Sequence, residues 1–90
     1  MRFALITTDK PGALDIRKAN RDAHLAYIAE TGVVEMAGPF LDENAEMCGS
    51  LIILEVADLA AAQDWAANDP YAKAGLFSDV RIQAWKKVVG

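Results

Sequence analysis

Four consecutive aliphatic residues, Leu51-Ile52-Ile53-Leu54, lie inside a stretch (48–56) that reads as a β-strand. Side chains on a strand point alternately to opposite faces, so an unbroken aliphatic run asks for cover on both. In a chain of 90 residues, the protein's own helices can supply one cover. A second copy of the chain is the economical source of the other. This need for two apolar layers restricts the fold more than any other stretch does.

The elements around that run follow from periodicity and punctuation. Residues 3–8 are β-rich and free of turn formers, and Lys10-Pro11-Gly12 stops them, which predicts a first strand. Residues 13–31 contain neither proline nor glycine and end at Gly32, the pattern of a helix closed by a left-handed C-cap. At about 100° per residue, Leu14, Leu25 and Ile28 form the expected core-facing stripe of that helix. Ala19, Ala23, Ala26 and Tyr27 offer a weaker second one. Residues 33–40 predict a second strand, and Gly38-Pro39 within it indicates an edge or bulged position. The acidic connection 41–46 makes this strand a hairpin partner of the aliphatic one. Asp58 is placed to cap a second helix, Leu59–Asn68. Residues 77–89 then alternate, with Val80, Ile82, Ala84 and Val88 on one face and Arg81, Gln83, Trp85 and Lys87 on the other. Trp85, large and apolar on the polar face, is suited to cover a partner or to wall a ligand site. The order strand, helix, strand, strand, helix, strand predicts a single α+β domain, residues 1–90. Its topology is ferredoxin-like βαββαβ, a four-stranded antiparallel sheet with both helices on one face.

Composition narrows the function classes. A formal net charge of −4 argues against nucleic acid, whose phosphates are bound by clustered Lys and Arg. The single cysteine, Cys48, cannot form an internal disulfide, which fits a reducing cytoplasm. Beside Met47 and Gly49 it reads as an inert, near-core thiol rather than a nucleophile. One histidine and one cysteine make no metal-ligand cluster, so no metal and no cofactor are expected. No apolar run approaches the roughly 20 residues that span a membrane, and the strand-like start does not read as a signal peptide. The expectation is a cytoplasmic protein that touches neither membrane nor nucleic acid.

The densest punctuation lies late in the chain, in Asn68-Asp69-Pro70-Tyr71 through Gly75-Leu76-Phe77. Asp69 reads as an N-cap, Pro70 as the first residue of a very short helix, and Gly75 as the left-handed residue that ends it. A capping role alone accounts for Asp69. A carboxylate held in a rigid turn is also a good partner for an imidazole, and His24 is the only histidine. Arg17, Arg21 and His24 stand at i, i+4 and i+7, on or beside the apolar stripe of the first helix. Burying unpaired charge is costly, so either that flank lines a polar cleft or the arginines extend past the core to solvent.

Taken together, Arg21-Asp22-Ala23-His24-Leu25-Ala26-Tyr27, Ala37-Gly38-Pro39-Phe40, Gly49-Ser50-Leu51, the Asp69-Pro70-Tyr71 turn and Ile82-Gln83-Ala84-Trp85 resemble the YciI (YCII-related) family. The pieces fall in family order along the whole chain. The resemblance implies a dimeric ferredoxin-like α+β barrel and a pocket in which His24 faces Asp69. It also implies dehydrochlorinase-type chemistry on hydroxylated aromatic rings, which is reported within the family. The barrel further resembles muconolactone isomerases, which act on small ring acids.

A histidine–carboxylate pair is the minimal apparatus for moving a proton, because the carboxylate orients the imidazole and stabilises its cation. It could take a proton from a phenol or an activated carbon and return it elsewhere, giving isomerisation or elimination. Arg17 and Arg21 could hold an anionic substrate or its developing enolate, or Arg21 could pair with Asp69 or Glu35. Ser50 and Tyr71 could donate hydrogen bonds to a ligand, or be no more than a strand-end serine and a packed tyrosine. Two readings follow. One is a small cofactor-independent lyase or isomerase that uses His24 and Asp69 on a cyclic or aromatic hydroxylated substrate. The other is a non-catalytic dimeric domain in which the pair ties helix to turn and the pocket binds a metabolite or nothing.

Overall fold

The computed structural model describes residues 1–90. Its elements are β1 (Arg2–Asp9), α1 (Leu14–Thr31), β2 (Val34–Leu41), β3 (Met47–Glu55), α2 (Leu59–Asn68), the one-turn α3 (Pro70–Lys73) and β4 (Phe77–Trp85). The strands form one antiparallel sheet in the order β2-β3-β1-β4. This is the ferredoxin-like arrangement that the element order predicts. The aliphatic run of β3 lies inside the sheet, and β2, which carries Gly38-Pro39, is an edge strand with register shifts at both ends.

The register sorts the side chains into two faces. Leu5 pairs with Ile52 and Phe3 with Leu54, and these four form the main core with Ala62, Trp65 and Ala66 of α2. Tyr27 and Ile28, from the second half of α1, pack on its margin. Two hydrogen bonds fasten the helices together there: Trp65 Nε1 donates to Thr31 Oγ1 and the Tyr27 hydroxyl donates to the Trp65 carbonyl, both at 2.9 Å. The caps form where the sequence puts them. Asp58 accepts from the Ala61 amide, and Gly32 takes the left-handed conformation at φ 64°. On the other sheet face Ala4 and Ile53 are buried and Ile6 and Leu51 half-buried, while Met36, Phe40 and Trp85 are exposed.

Two expectations change. The last strand ends at Trp85 instead of running to residue 89. Lys87 instead places its Nζ 3.5 Å from Glu35, which is also bound by Arg2, so ion pairing with β2 takes over from the ladder. The Arg2 hydrogen bond holds the Glu35 carboxyl below its ordinary range. The second change concerns α1. Leu25, assigned to the core-facing stripe, is 46% exposed, and the buried side chains of the helix are Arg17 and His24. The middle of α1 faces a cavity and α3 rather than close-packed sheet.

Gly49 lies close against the neighbouring strand β1. A Cβ at this position would overlap the backbone carbonyl of Thr7 on β1, an atom that cannot yield without breaking the pairing between the two strands. Gly49→Ala is expected to lower stability by about 1–3 kcal/mol, measured as a drop in the urea midpoint at unchanged m-value.

Candidate functional site

The cavity lies between α1 and the β2–β3 half of the sheet, with a volume of about 190 Å³. That is below the roughly 300–1,000 Å³ of pockets for drug-sized ligands, so its scale suits a small molecule. Arg17, Arg21, His24, Ser50 and Tyr71 all line it. Asp69 does not line it, but stands behind His24. No carboxylate contributes to the wall. The chain as a whole is acidic, yet this cavity is faced by two arginines and a histidine.

Asp69 holds the site from a turn dictated by Pro70. Its backbone is extended (φ −61°, ψ 129°), and its Oδ1 accepts the Tyr71 amide at 3.0 Å, capping α3. The same Oδ1 lies 2.7 Å from His24 Nδ1. An ionised carboxylate only accepts, so Nδ1 carries the proton and donates. The cap and the imidazole therefore share one oxygen, and Asp69 Oδ2 is buried without a partner. Asp69 is fully buried and His24 is 5% exposed. His24 Nε2 makes no hydrogen bond within the protein, and the His24 side chain lines the cavity.

Around this contact the aromatic and cationic groups are layered. The Tyr71 ring lies parallel to the His24 imidazole, with centroids 3.9 Å apart and planes inclined by 16°. Phe77 meets Tyr71 edge-on at 6.3 Å. Arg17 Cζ lies 4.8 Å from the Tyr71 centroid. Arg17 does not reach for solvent. It is 3% exposed and forks onto Asp9, Nε to Oδ2 at 2.7 Å and Nη2 to Oδ1 at 2.9 Å, with Nη2 also donating to Ser50 Oγ at 3.0 Å. Burial works against the guanidinium charge, but the hydrogen bonds and charge of Asp9 outweigh it, and the Arg17 pKa is raised. Removing one partner of such a buried pair costs about 3–5 kcal/mol. Arg21 sits at the exposed rim and makes no ion pair. Asp69 is taken by His24, and Glu35 by Arg2 and Lys87.

Asp9 is the residue that sequence reasoning missed. It ends β1 at a register shift against β4, and its carboxylate is turned inward onto Arg17. The available signal was its odd-numbered place in β1, on the same face as Phe3, Leu5 and Thr7, eight residues before an arginine on the inner flank of α1.

Both tyrosines of the chain are pushed above their ordinary range. Burial is the chief cause at Tyr71, opposed by the charge of Arg17, and burial is also the chief cause at Tyr27. The folded protein therefore holds these protons at a pH where the unfolded chain has begun to lose them, and stability is present below about pH 10 and falls above it. An ultraviolet alkaline titration should show less tyrosinate in the folded protein than in the unfolded chain at the free-tyrosine midpoint, with the unfolding midpoint declining as pH rises beyond it.

Comparison with known proteins extends what the geometry shows. The YCII-related domain matches residues 1–86. An uncharacterised protein from Haemophilus influenzae is 40% identical, with 98% of this chain and 99% of that protein aligned. Protein YciI from Escherichia coli is 37% identical over the same shares. Among solved structures, the 5-chloro-2-hydroxyhydroquinone dehydrochlorinase of Burkholderia phenoliruptrix, in complex with 2,5-dihydroxybenzoquinone, superposes with a TM-score of 0.87. It is 34% identical, and 96% of this chain and 94% of that one are covered. From one end to nearly the other, the chain belongs to the YCII-related family.

Proposed function

We propose that this protein is a cofactor-independent acid–base catalyst, a lyase or isomerase acting on small hydroxylated ring compounds, with His24 as base and acid and Asp69 as its orienting partner. The observation that carries this reading is the 2.7 Å contact from His24 Nδ1 to Asp69 at the wall of a small cavity, with Nε2 left free. The likeness to a dehydrochlorinase that holds a dihydroxybenzoquinone supports the same class of ligand.

The chemistry needs only proton transfer. His24 Nε2 takes a proton from a ring hydroxyl, and the imidazolium is stabilised by Asp69 across the ring. The oxyanion pushes electron density into the ring, and His24 returns the proton to the carbon bearing the leaving group. Stopping there is an isomerisation to the keto tautomer. If the leaving group is a halide, it departs with the bonding pair while His24, neutral again, takes the proton of a second hydroxyl, and the ring becomes a quinone. The elements of a hydrogen halide are lost and no outside oxidant is consumed. Arg21, with no carboxylate partner, is placed to hold the oxyanion. The Ser50 and Tyr71 hydroxyls are available to orient the remaining ring oxygens.

The burial of the pair favours a second reading, in which it only ties α1 to the α2–α3 turn. Substitution separates the two. Asp69→Asn keeps an oxygen for the Tyr71 amide and the His24 N–H, so the fold is expected to hold. With 5-chloro-2-hydroxyhydroquinone as substrate, turnover should fall by about 10²–10⁴-fold in His24→Gln and in Asp69→Asn. Loss of melting temperature with undiminished turnover would instead assign the pair to structure. Arg21→Gln should weaken binding of 2,5-dihydroxybenzoquinone by about tenfold without changing stability, as read by calorimetric titration.

We further propose that the open sheet face, with Ile6, Leu51, Met36, Phe40 and Trp85, is covered by a second copy of the chain. The aliphatic run of β3 supports this, because helices cover only one of its sides. Sedimentation should give a dimer at micromolar concentration, and a monomer there would refute the assignment.

A further inference from the structure

His24 is held by two different constraints. The Nδ1 hydrogen bond to Asp69 fixes one point of the imidazole but leaves the ring free to swing about that contact. The stack on Tyr71 supplies the missing plane. Together they set where Nε2 points, and a base is effective only when its lone pair is aimed at the proton it takes. What fixes the Tyr71 ring therefore fixes the base.

Tyr71 is anchored at its backbone by Asp69, while its ring is met by Phe77 edge-on and by the Arg17 guanidinium at 4.8 Å. The guanidinium is planar, and three hydrogen bonds lock that plane, two to Asp9 and one to Ser50. Asp9 is itself set by the register shift between β1 and β4, where the Ser78 hydroxyl donates toward the Thr8 and Asp9 carbonyls. Bulges of this kind re-aim a side chain. An unbroken line of contacts thus runs Asp9, Arg17, Tyr71, His24.

We propose that Asp9 is a positioning residue for His24: by holding the Arg17 guanidinium against the Tyr71 ring, it fixes the plane of the imidazole and the direction in which Nε2 meets the cavity. Asp9 touches neither the cavity's ligand space beside His24 nor the imidazole, so it acts only through Arg17 and Tyr71. It also cancels the charge of Arg17, which leaves Arg21 as the cation available to a ligand. A pair serving stability alone could be replaced by apolar side chains at little cost. This pair also orients an aromatic plate against the histidine. The catalytic consequence rests on the acid–base reading above, whereas the geometric one does not.

The test compares wild type, Asp9→Asn, and the double variant Asp9→Asn with Arg17→Met, which leaves no buried charge unpaired and keeps the proposal testable if the single variant unfolds. The His24 carbon-bound ring protons lie in the ring current of Tyr71, so their NMR signals are displaced from free-imidazole positions in the wild type. In the folded variants these signals are expected to move toward the free positions. Turnover of 5-chloro-2-hydroxyhydroquinone should fall by about 10²-fold in kcat with KM within about twofold. A merely structural Asp9 would lower the melting temperature and leave the His24 signals of the folded protein where they were, and that result would overturn the proposal. If the wild type does not turn over this ring, the acid–base reading fails for that substrate, and the NMR comparison alone decides the role of Asp9.

Discussion

One oxygen atom, Asp69 Oδ1, joins the two halves of the molecule. It accepts the Tyr71 amide and so starts α3, and it accepts His24 Nδ1 and so fastens α1 to that turn. Pro70 makes the arrangement local and rigid, because it removes a competing N–H and presets the first helical φ. The helices are otherwise joined far from this point, at Trp65, Tyr27 and Thr31. Without the Asp69 contact, the polar fastening of this part of α1 would rest on Arg17, beside the stack of His24 on Tyr71 and the packing of Ala13 against Tyr71 and Leu76. The carboxylate is buried with its second oxygen unpartnered, a penalty of about 1–3 kcal/mol. A turn that needed only to hold a helix could avoid that penalty with an apolar contact.

The cavity and the charged inner side of α1 have the same origin. Close packing requires apolar side chains from both layers, and the middle of α1 offers Arg17, Arg21 and His24 where they should be. The sheet beneath offers several small residues, Ala37, Gly38, Pro39 and Ser50, beside Met47 and Ile52. Neither surface can fill the gap, so space remains. The core proper is displaced toward α2, whose Ala62, Trp65 and Ala66 meet Phe3, Leu5, Ile52 and Leu54. Stability and the site thus occupy different regions of the same layer.

This division explains what could be read in the sequence. Caps, breakers and strand alternation act over a few residues, so the element order, the edge position of β2, the Asp58 and Gly32 caps and the Asp69-Pro70 turn were legible. The helical stripe was not, because periodicity predicts which side faces inward and not whether that side meets core or cavity. Leu25 lines the cavity and is exposed, while Arg17 is buried. The partner that makes Arg17's burial tolerable, Asp9, lies across a turn, and a register shift in a non-local strand pair turns it inward. Nothing within a window of sequence encodes that shift. The same holds for Lys87 and Glu35, 52 positions apart in a chain whose alternation would otherwise have carried the last strand onward. The sharing of Asp69 Oδ1 is likewise a matter of ångströms rather than residue types.

Charge at the site departs from charge of the chain in a way that bears on what can bind. The chain carries −4 overall, and a potential of that sign repels anions at long range. Within the cavity the balance is local. Asp9 cancels Arg17, Asp69 stands ready to cancel an imidazolium at His24, and Arg21 at the rim is not cancelled. Beyond a Debye length, about 8 Å at physiological ionic strength, the acidic surface is largely screened, so a ligand inside meets chiefly Arg21. On the reading proposed above, a neutral hydroxylated ring would enter without repulsion and become an anion only when its proton is taken. On that reading Arg21 would favour the ionised form over the neutral one, and attraction that grows as charge develops is the kind that speeds a reaction rather than merely tightening binding.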